Sequence, residues 1–244
     1  MKNILITLLV SLLGFSSYAQ GKSLEKANDA FEVYAFLEAA SLYEKALYEE
    51  KDDSNHKEIL SKLGDCYYKI SDSKNATVWY RRAITKYPDI DPEYLWKYIQ
   101  TLRGVGKFQE ANEMLKTFNK RQKDDSRAED FEFVNLEKLL DPNSEKAKKI
   151  KITNLNSNTE YSDFDGYELD GKFFFSSANR NGLDLYSKED KLYKWNKEPY
   201  LNVYQGTINK MDGDVEISEI TKVPSEIPNL EIEHEGTMAL TKDG

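Results

Sequence analysis

His56, Cys66 and His234 are the whole supply of imidazole and thiol in the chain. Most metal centres and Cys/His nucleophiles need more. His234 stands between Glu233 and Glu235 and could ligate a metal, but a lone His at a strand start is more often solvated. Asp163/Asp165 and Asp212/Asp214 are paired carboxylates around glycine. As Ca²⁺ ligands they lack the rest of an EF-hand loop, so they read as turn residues. Cys66 lies in Leu63-Gly-Asp-Cys-Tyr67, a helical pattern. It either pairs between chains or sits buried as a small apolar residue, and the pattern favours burial. Asn75-Ala-Thr77 matches a glycosylation sequon, but at an expected helix start it reads better as capping. GxGxxG, Walker-type, GxSxG, HExxH and CxxC patterns are absent. No catalytic, cofactor-binding or metal-binding residue is therefore expected, and the chain is read as a non-enzyme without cofactors. With 34 Lys+Arg against 43 Asp+Glu, and no basic stripe, a nucleic-acid partner is excluded too.

The elements around these residues come in three kinds. Residues 1–19 carry one charge, Lys2, then an apolar run from Ile4 to Phe15 and the small-residue stretch Ser17-Tyr18-Ala19. That order is a secretory signal. The run is too short to span a membrane, which takes roughly 20 residues. Cleavage after Ala19 would leave Gln20 first, and no Cys follows to take a lipid. The expectation is an exported, periplasmic protein with no membrane-spanning segment after signal removal.

Residues 22–140 hold three glycines, and 141–244 hold seven. Apolar spacing is helical in the first stretch and alternating in the second. Asp141-Pro-Asn-Ser144 marks the break. We expect a helical domain over 22–140, a linker at 141–147 and a β domain over 148–244. Within the first, Glu38-Ala-Ala-Ser-Leu-Tyr43-Glu-Lys-Ala46 aligns with Asn75-Ala-Thr-Val-Trp-Tyr80-Arg-Arg-Ala83, 37 residues later. A third copy, Glu110-Ala111 to Phe118, follows at 35. Units of this length stack, because none buries a face alone. Helices are expected at 22–34, 36–50, 55–70, 74–87, 92–104 and 107–121. A capping helix follows from Ser126 to Leu140, with Asp125 or Ser126 as its cap.

The middle copy resembles a tetratricopeptide repeat (TPR) at Leu63-Gly64, Tyr67, Ala76, Tyr80, Ala83 and Pro88. Gly64 and Ala76 are small where the paired helices cross, Tyr67 and Tyr80 fill the space beside them, and Pro88 ends the second helix. Copy one has Ala27 and Ala30 where Gly and Tyr are usual, and copy three has Tyr98-Ile99 for Leu-Gly. The resemblance implies a partner groove along the first helices. Its matching positions are Asn28, Phe31 and Glu32; Asp65, Tyr68 and Lys69; Trp96, Gln100 and Arg103. A solvated helix face is the alternative.

In the β part, Asp170-Gly171 predicts a two-residue hairpin turn, Phe173 to Phe175 a buried strand, Leu201 to Ile208 a further strand, and Met211 to Asp214 a tight turn before Val215 to Ile220. Lys149 to Ile152 alternates as well. Four strands in series have the shape of one propeller blade. Glu233 to Gly244 mirrors Ser162 to Gly171 and so begins a second unit, 70 residues on, with Lys188–Lys197 as the extra loop. Asp170-Gly-Lys-Phe-Phe-Phe-Ser-Ser-Ala-Asn-Arg resembles the strand of TolB-type, WD-like propeller repeats. With the signal and the helical repeats before it, the chain resembles the N-terminal part of the OmpA-family, peptidoglycan-associated envelope proteins of Bacteroidota. The expected class is α + β multidomain, a TPR-like α-solenoid followed by an incomplete β-propeller-like antiparallel region. The resemblance implies an outer-membrane-associated scaffold with envelope-protein partners, serving envelope integrity or type IX secretion and gliding. Peptidoglycan would be bound only through a downstream OmpA-like domain. A groove-binding TPR adaptor and the leading region of a propeller-bearing serine peptidase are the other readings. Thr241-Lys-Asp-Gly244 aligns with Glu168-Leu-Asp-Gly171, so the chain is expected to stop halfway through a hairpin, as part of a longer protein.

Overall fold

A computed structural model of the chain describes residues 22–50, 53–129, 141, 143–145, 148, 153–178, 192–211, 214–224 and 234–236. The chain divides between Lys148 and Lys149 into two compact units. Among the described residues these hold six α-helices, a short α-helical turn, a 3-10 turn at Asp53–Asn55 and a four-stranded antiparallel sheet, an α + β class. The signal segment, the capping helix beyond Glu129, the strand expected at 149–152 and the second β unit from 237 lie outside the described residues.

In the first unit, α1 covers 22–32, α2 Phe36–Glu49, α3 His56–Lys69, α4 Ser73–Lys86, α5 Pro92–Gly104 and α6 Phe108–Arg121. From α2 to α6 each helix packs on the next. The apolar spacing explains this. In α2, Phe36, Ala39, Ala40, Tyr43 and Ala46 form one buried stripe, and in α4 the same register buries Ala76, Tyr80 and Ala83. Asp91 caps α5 by accepting from the Glu93 N–H at 2.8 Å, with Pro92 in the first helical position.

Two capping expectations are sharpened. The cap of α4 is Asp72, whose Oδ1 accepts from the Asn75 N–H at 3.0 Å. Asn75 is three residues inside and donates its own Nδ2 to Asp72 at 2.6 Å. Thr77 is buried and donates to the Ser73 carbonyl at 2.7 Å. Asp125, not Ser126, caps the short α7 (Ser126–Glu129), accepting from the Arg127 N–H at 2.9 Å.

The expected ends of α1 to α4 run one or two residues past the observed ones, and for α1 and α3 the turns give the reason. Tyr34, Ser71 and Gly106 all have positive φ, at 60°, 62° and 75°. Each sits between paired helices, and each turn closes the same way. Ala35 N–H reaches the Ala30 carbonyl, Asp72 that of Tyr67 and Lys107 that of Leu102, at 2.8–2.9 Å. The N–H groups of Tyr34, Ser71 and Gly106 bond the carbonyls of Phe31, Tyr68 and Arg103. This is the Schellman arrangement, repeated three times. Only the third turn uses glycine, so Tyr34 and Ser71 carry left-handed strain. Ser71→Gly should raise helical-unit stability by roughly 0.5–1 kcal/mol. Chemical denaturation followed at 222 nm checks this, and an unchanged or lower midpoint would contradict it.

A second repeated feature joins the paired helices. Tyr43 donates its hydroxyl to Asn28 Oδ1 at 2.6 Å, and Tyr80 donates to Asp65 Oδ1 at 2.7 Å. Both tyrosines are fully buried. At Gly64, an added Cβ would lie 2.3 Å from the Tyr80 ring, so this helix crossing admits no side chain.

The sheet of the second unit is a meander in the order β1 (Asp163–Leu169), β2 (Lys172–Ser177), β3 (Asn202–Met211) and β4 (Asp214–Lys222). Asp170 and Gly171 both have positive φ, as the first hairpin turn requires. Phe173, Phe175 and Tyr204 stack along one face, with neighbouring ring centroids 5.6 and 5.7 Å apart. Register shifts interrupt β1 between Phe164 and Tyr167, and the β3–β4 pairing between Gln205 and Thr207. Asp165 and Glu219, beside these breaks, have positive φ. Asn156 holds the outer side of β4 at Ile217. It donates Nδ2 to the Ile217 carbonyl and accepts from the Ile217 N–H, both at 2.7 Å.

Candidate functional site

The expected groove lies on α1, α3 and α5, and its residues meet very different fates. Asp65 is buried, 8 % exposed. Its Oδ1 accepts from both Tyr80 Oη and Lys97 Nζ at 2.7 Å. The carboxylate therefore joins α3, α4 and α5 internally instead of facing a partner. Burial, with Asp65 alongside, holds the Tyr80 phenol far above its ordinary range. Lys97 Nζ also lies 5.1 Å from the centre of the Tyr94 ring.

Trp96 is half-buried against Phe118, ring centres 5.3 Å apart, and the Arg127 guanidinium covers its ring at 4.9 Å. Arg127 is fixed by Asp125 at 2.8 Å and Glu93 at 2.9 Å, and these bonds hold its guanidinium above the usual range. The chain's own α7 thus occupies this end of the candidate groove. Phe31 meets Phe36 and Tyr43 edge-on, with Lys62 Nζ 3.8 Å from its ring centre. Asn28 is engaged by Tyr43, as above. Burial pulls the half-buried Arg103 guanidinium below its ordinary value. Tyr68, Lys69 and Glu32 are exposed, and Gln100 is half-buried. Tyr68, 36 % exposed, is the exposed aromatic among the nine positions.

Of the expected structural set, Gly64, Ala76, Tyr80 and Ala83 are buried, Tyr67 is half-buried and Pro88 is exposed just beyond α4. Tyr67 donates to Glu44 at 2.9 Å. Arg81, Tyr98 and Glu110 form a further brace. Arg81 donates to Tyr98 Oη and to both Glu110 oxygens at 2.6–2.8 Å, and Tyr98 donates to Glu110 at 2.7 Å. Lys62, Tyr94, Lys97 and Arg127 have no place in the motif spacing. They enter the region only because helices distant in sequence pack together.

Cys66 is fully buried, and burial pushes its thiol up to about 12, so it stays protonated and unreactive. Asp163 accepts from Thr159 N–H and Oγ1 at 2.5 and 2.9 Å. His56 lies 2.7 Å from Asp53, which also pairs with Lys86 at 2.7 Å. Among the described residues, no group of three or more His, Cys, Asp or Glu side chains could hold a metal ion. No described helix is long and apolar enough to cross a membrane. His234 is exposed, as expected, with two aromatic rings beside it. It packs against Tyr193 and Tyr200, ring centres 4.4 and 5.0 Å away. On the sheet, a cavity of about 160 Å³ is lined by Asp165, Gly166, Tyr167, Phe174, Phe175, Ser176 and Val203.

No protein-family model matches the chain, and the search of curated proteins finds no match.

Proposed function

We propose that the protein is a non-enzymatic, exported scaffold whose helical unit is a TPR-like stack and whose sheet is one blade of a propeller-like region. The threefold recurrence of one turn geometry at Tyr34, Ser71 and Gly106 carries this reading. Chains selected for stacking conserve geometry from unit to unit, and stacked helical pairs serve as extended binding surfaces. The blade reading is supported by the four-stranded meander with its tight first hairpin. With the leader-like residues 1–19, these features support the resemblance to OmpA-family envelope proteins, acting at the periplasmic side of the outer membrane on other envelope proteins. The test is crosslinking in intact cells, followed by recovery from envelope fractions. Reproducible envelope-protein partners support the scaffold, and a protein that fractionates with the cytoplasm overturns it.

The adaptor reading narrows the groove to its accessible members, because Tyr68 and Lys69 are exposed while Asp65 and Trp96 are engaged internally. Tyr68→Ala combined with Gln100→Ala should weaken binding of a recovered partner at least tenfold, with helical content unchanged at 222 nm. Unaltered affinity would remove the groove from the account.

A further inference from the structure

We propose that residues 234–236 form a proton-sensitive clasp on the start of β3. Three backbone N–H groups define it. Leu201 donates to His234 Nδ1 at 3.1 Å, Glu235 donates to the Leu201 carbonyl at 2.8 Å, and Val203 donates to Glu235 Oε2 at 3.4 Å. The clasp thus joins a segment beyond β4 to the end of the sheet where β3 begins.

The chemistry turns on His234 Nδ1. Accepting from Leu201 requires a lone pair there, so the neutral ring carries its proton on Nε2. Protonation at Nδ1 would set one N–H against another and break the contact. Tyr193 and Tyr200 pack their rings on the imidazole. The nearest charged groups on packed elements are Glu235 beside it and Lys222 on β4, 4.0 Å from the Glu235 carboxylate. The 192–200 hairpin adds Lys194, Lys197 and Glu198, the last of which accepts from Ser162 Oγ at 2.7 Å. Among the described residues, none of these accepts a hydrogen bond from the imidazole.

Partial burial depresses the His234 pKa below its ordinary 6.5. A depressed folded-state value means that the neutral ring contributes stability above pH 6.5, and that this contribution disappears as pH falls through the folded value. Acid therefore opens the clasp.

Amide exchange of the full chain, corrected for intrinsic pH effects, tests this. Protection of the Leu201 amide should fall about tenfold between about pH 7.5 and 5, the loss of one hydrogen bond. Protection at Phe174, in the sheet interior, should hold. His234→Asn offers an acceptor near the Nδ1 position without a titrating ring, and should make Leu201 protection independent of pH. Glu235→Gln should keep the wild-type pH dependence. Imidazole ¹⁵N shifts of the wild type should report the Nε2–H form at pH 7.5. Constant Leu201 protection in the wild type, an Nδ1–H ring, or loss of the pH dependence in Glu235→Gln would each overturn the clasp.

Discussion

Gly64→Ile should destabilise the helical unit by about 3 kcal/mol, read as a lowered denaturation midpoint at 222 nm. Even the first added carbon would stand 2.3 Å from the Tyr80 ring. That ring cannot retreat easily. Its hydroxyl is held by Asp65, and Tyr68 and Tyr94 flank it with centroids 6.3 Å away. The third helical pair solves the same crossing with the volumes exchanged. Ile99 stands at the position of Gly64 and Leu115 at that of Tyr80, both fully buried. Adding Tyr80→Leu to Gly64→Ile should therefore recover part of the loss, with a coupling energy of about 1–3 kcal/mol. The double variant will not reach wild-type stability, because Asp65 loses its phenol donor. Strict additivity of the two changes would refute the volume exchange.

Phe175→Ala should cost the sheet about 4 kcal/mol. Phe175 is 6 % exposed and lies opposite Tyr204 on an interior strand, between two stacked rings. Its removal leaves a void bounded by aromatic faces that cannot close without moving the backbone of β2 or β3. Exchange of the amides of 173–177 and 202–208 should accelerate sharply, whereas Phe175→Leu, which keeps most of the volume, should cost much less. Equal effects of alanine and leucine would mean that the stack contributes little beyond its polar neighbours.

The helices were legible because their stabilisation is local and periodic. The buried stripe of α2 and the matching one in α4 recur every three to four residues, and Asp91-Pro92 announces the start of α5. Asp170-Gly171 was legible for the same reason, since a hairpin turn depends on two adjacent residues. The Tyr34 and Ser71 turns were hidden, because neither residue type signals a left-handed backbone, and the neighbouring helices hold both in place. The burial of Asp65 was hidden by distance, its lysine partner lying 32 residues away on α5. The exposure of His234 was legible, but its aromatic neighbours Tyr193 and Tyr200 were not, since they precede it by more than thirty residues. In the candidate groove, spacing identified a helix face. It could not distinguish exposed Tyr68 from Trp96, which is covered by Arg127.

Asn156 has a consequence for the order in which the sheet forms. Each hairpin of the meander joins neighbours in sequence, so β1–β2 and β3–β4 can pair early. Asn156 reaches Ile217 across 61 residues, a closure that costs chain entropy before it returns two hydrogen bonds. Until then Ile217, on the outer edge of β4, lacks these two bonds and can pair with a passing strand. Nascent chains should therefore be most prone to co-aggregate in the interval between hairpin formation and this last closure. Asn156→Ala would lengthen that interval, so its main symptom would be a poorer refolding yield at high protein concentration, more than a lower melting temperature.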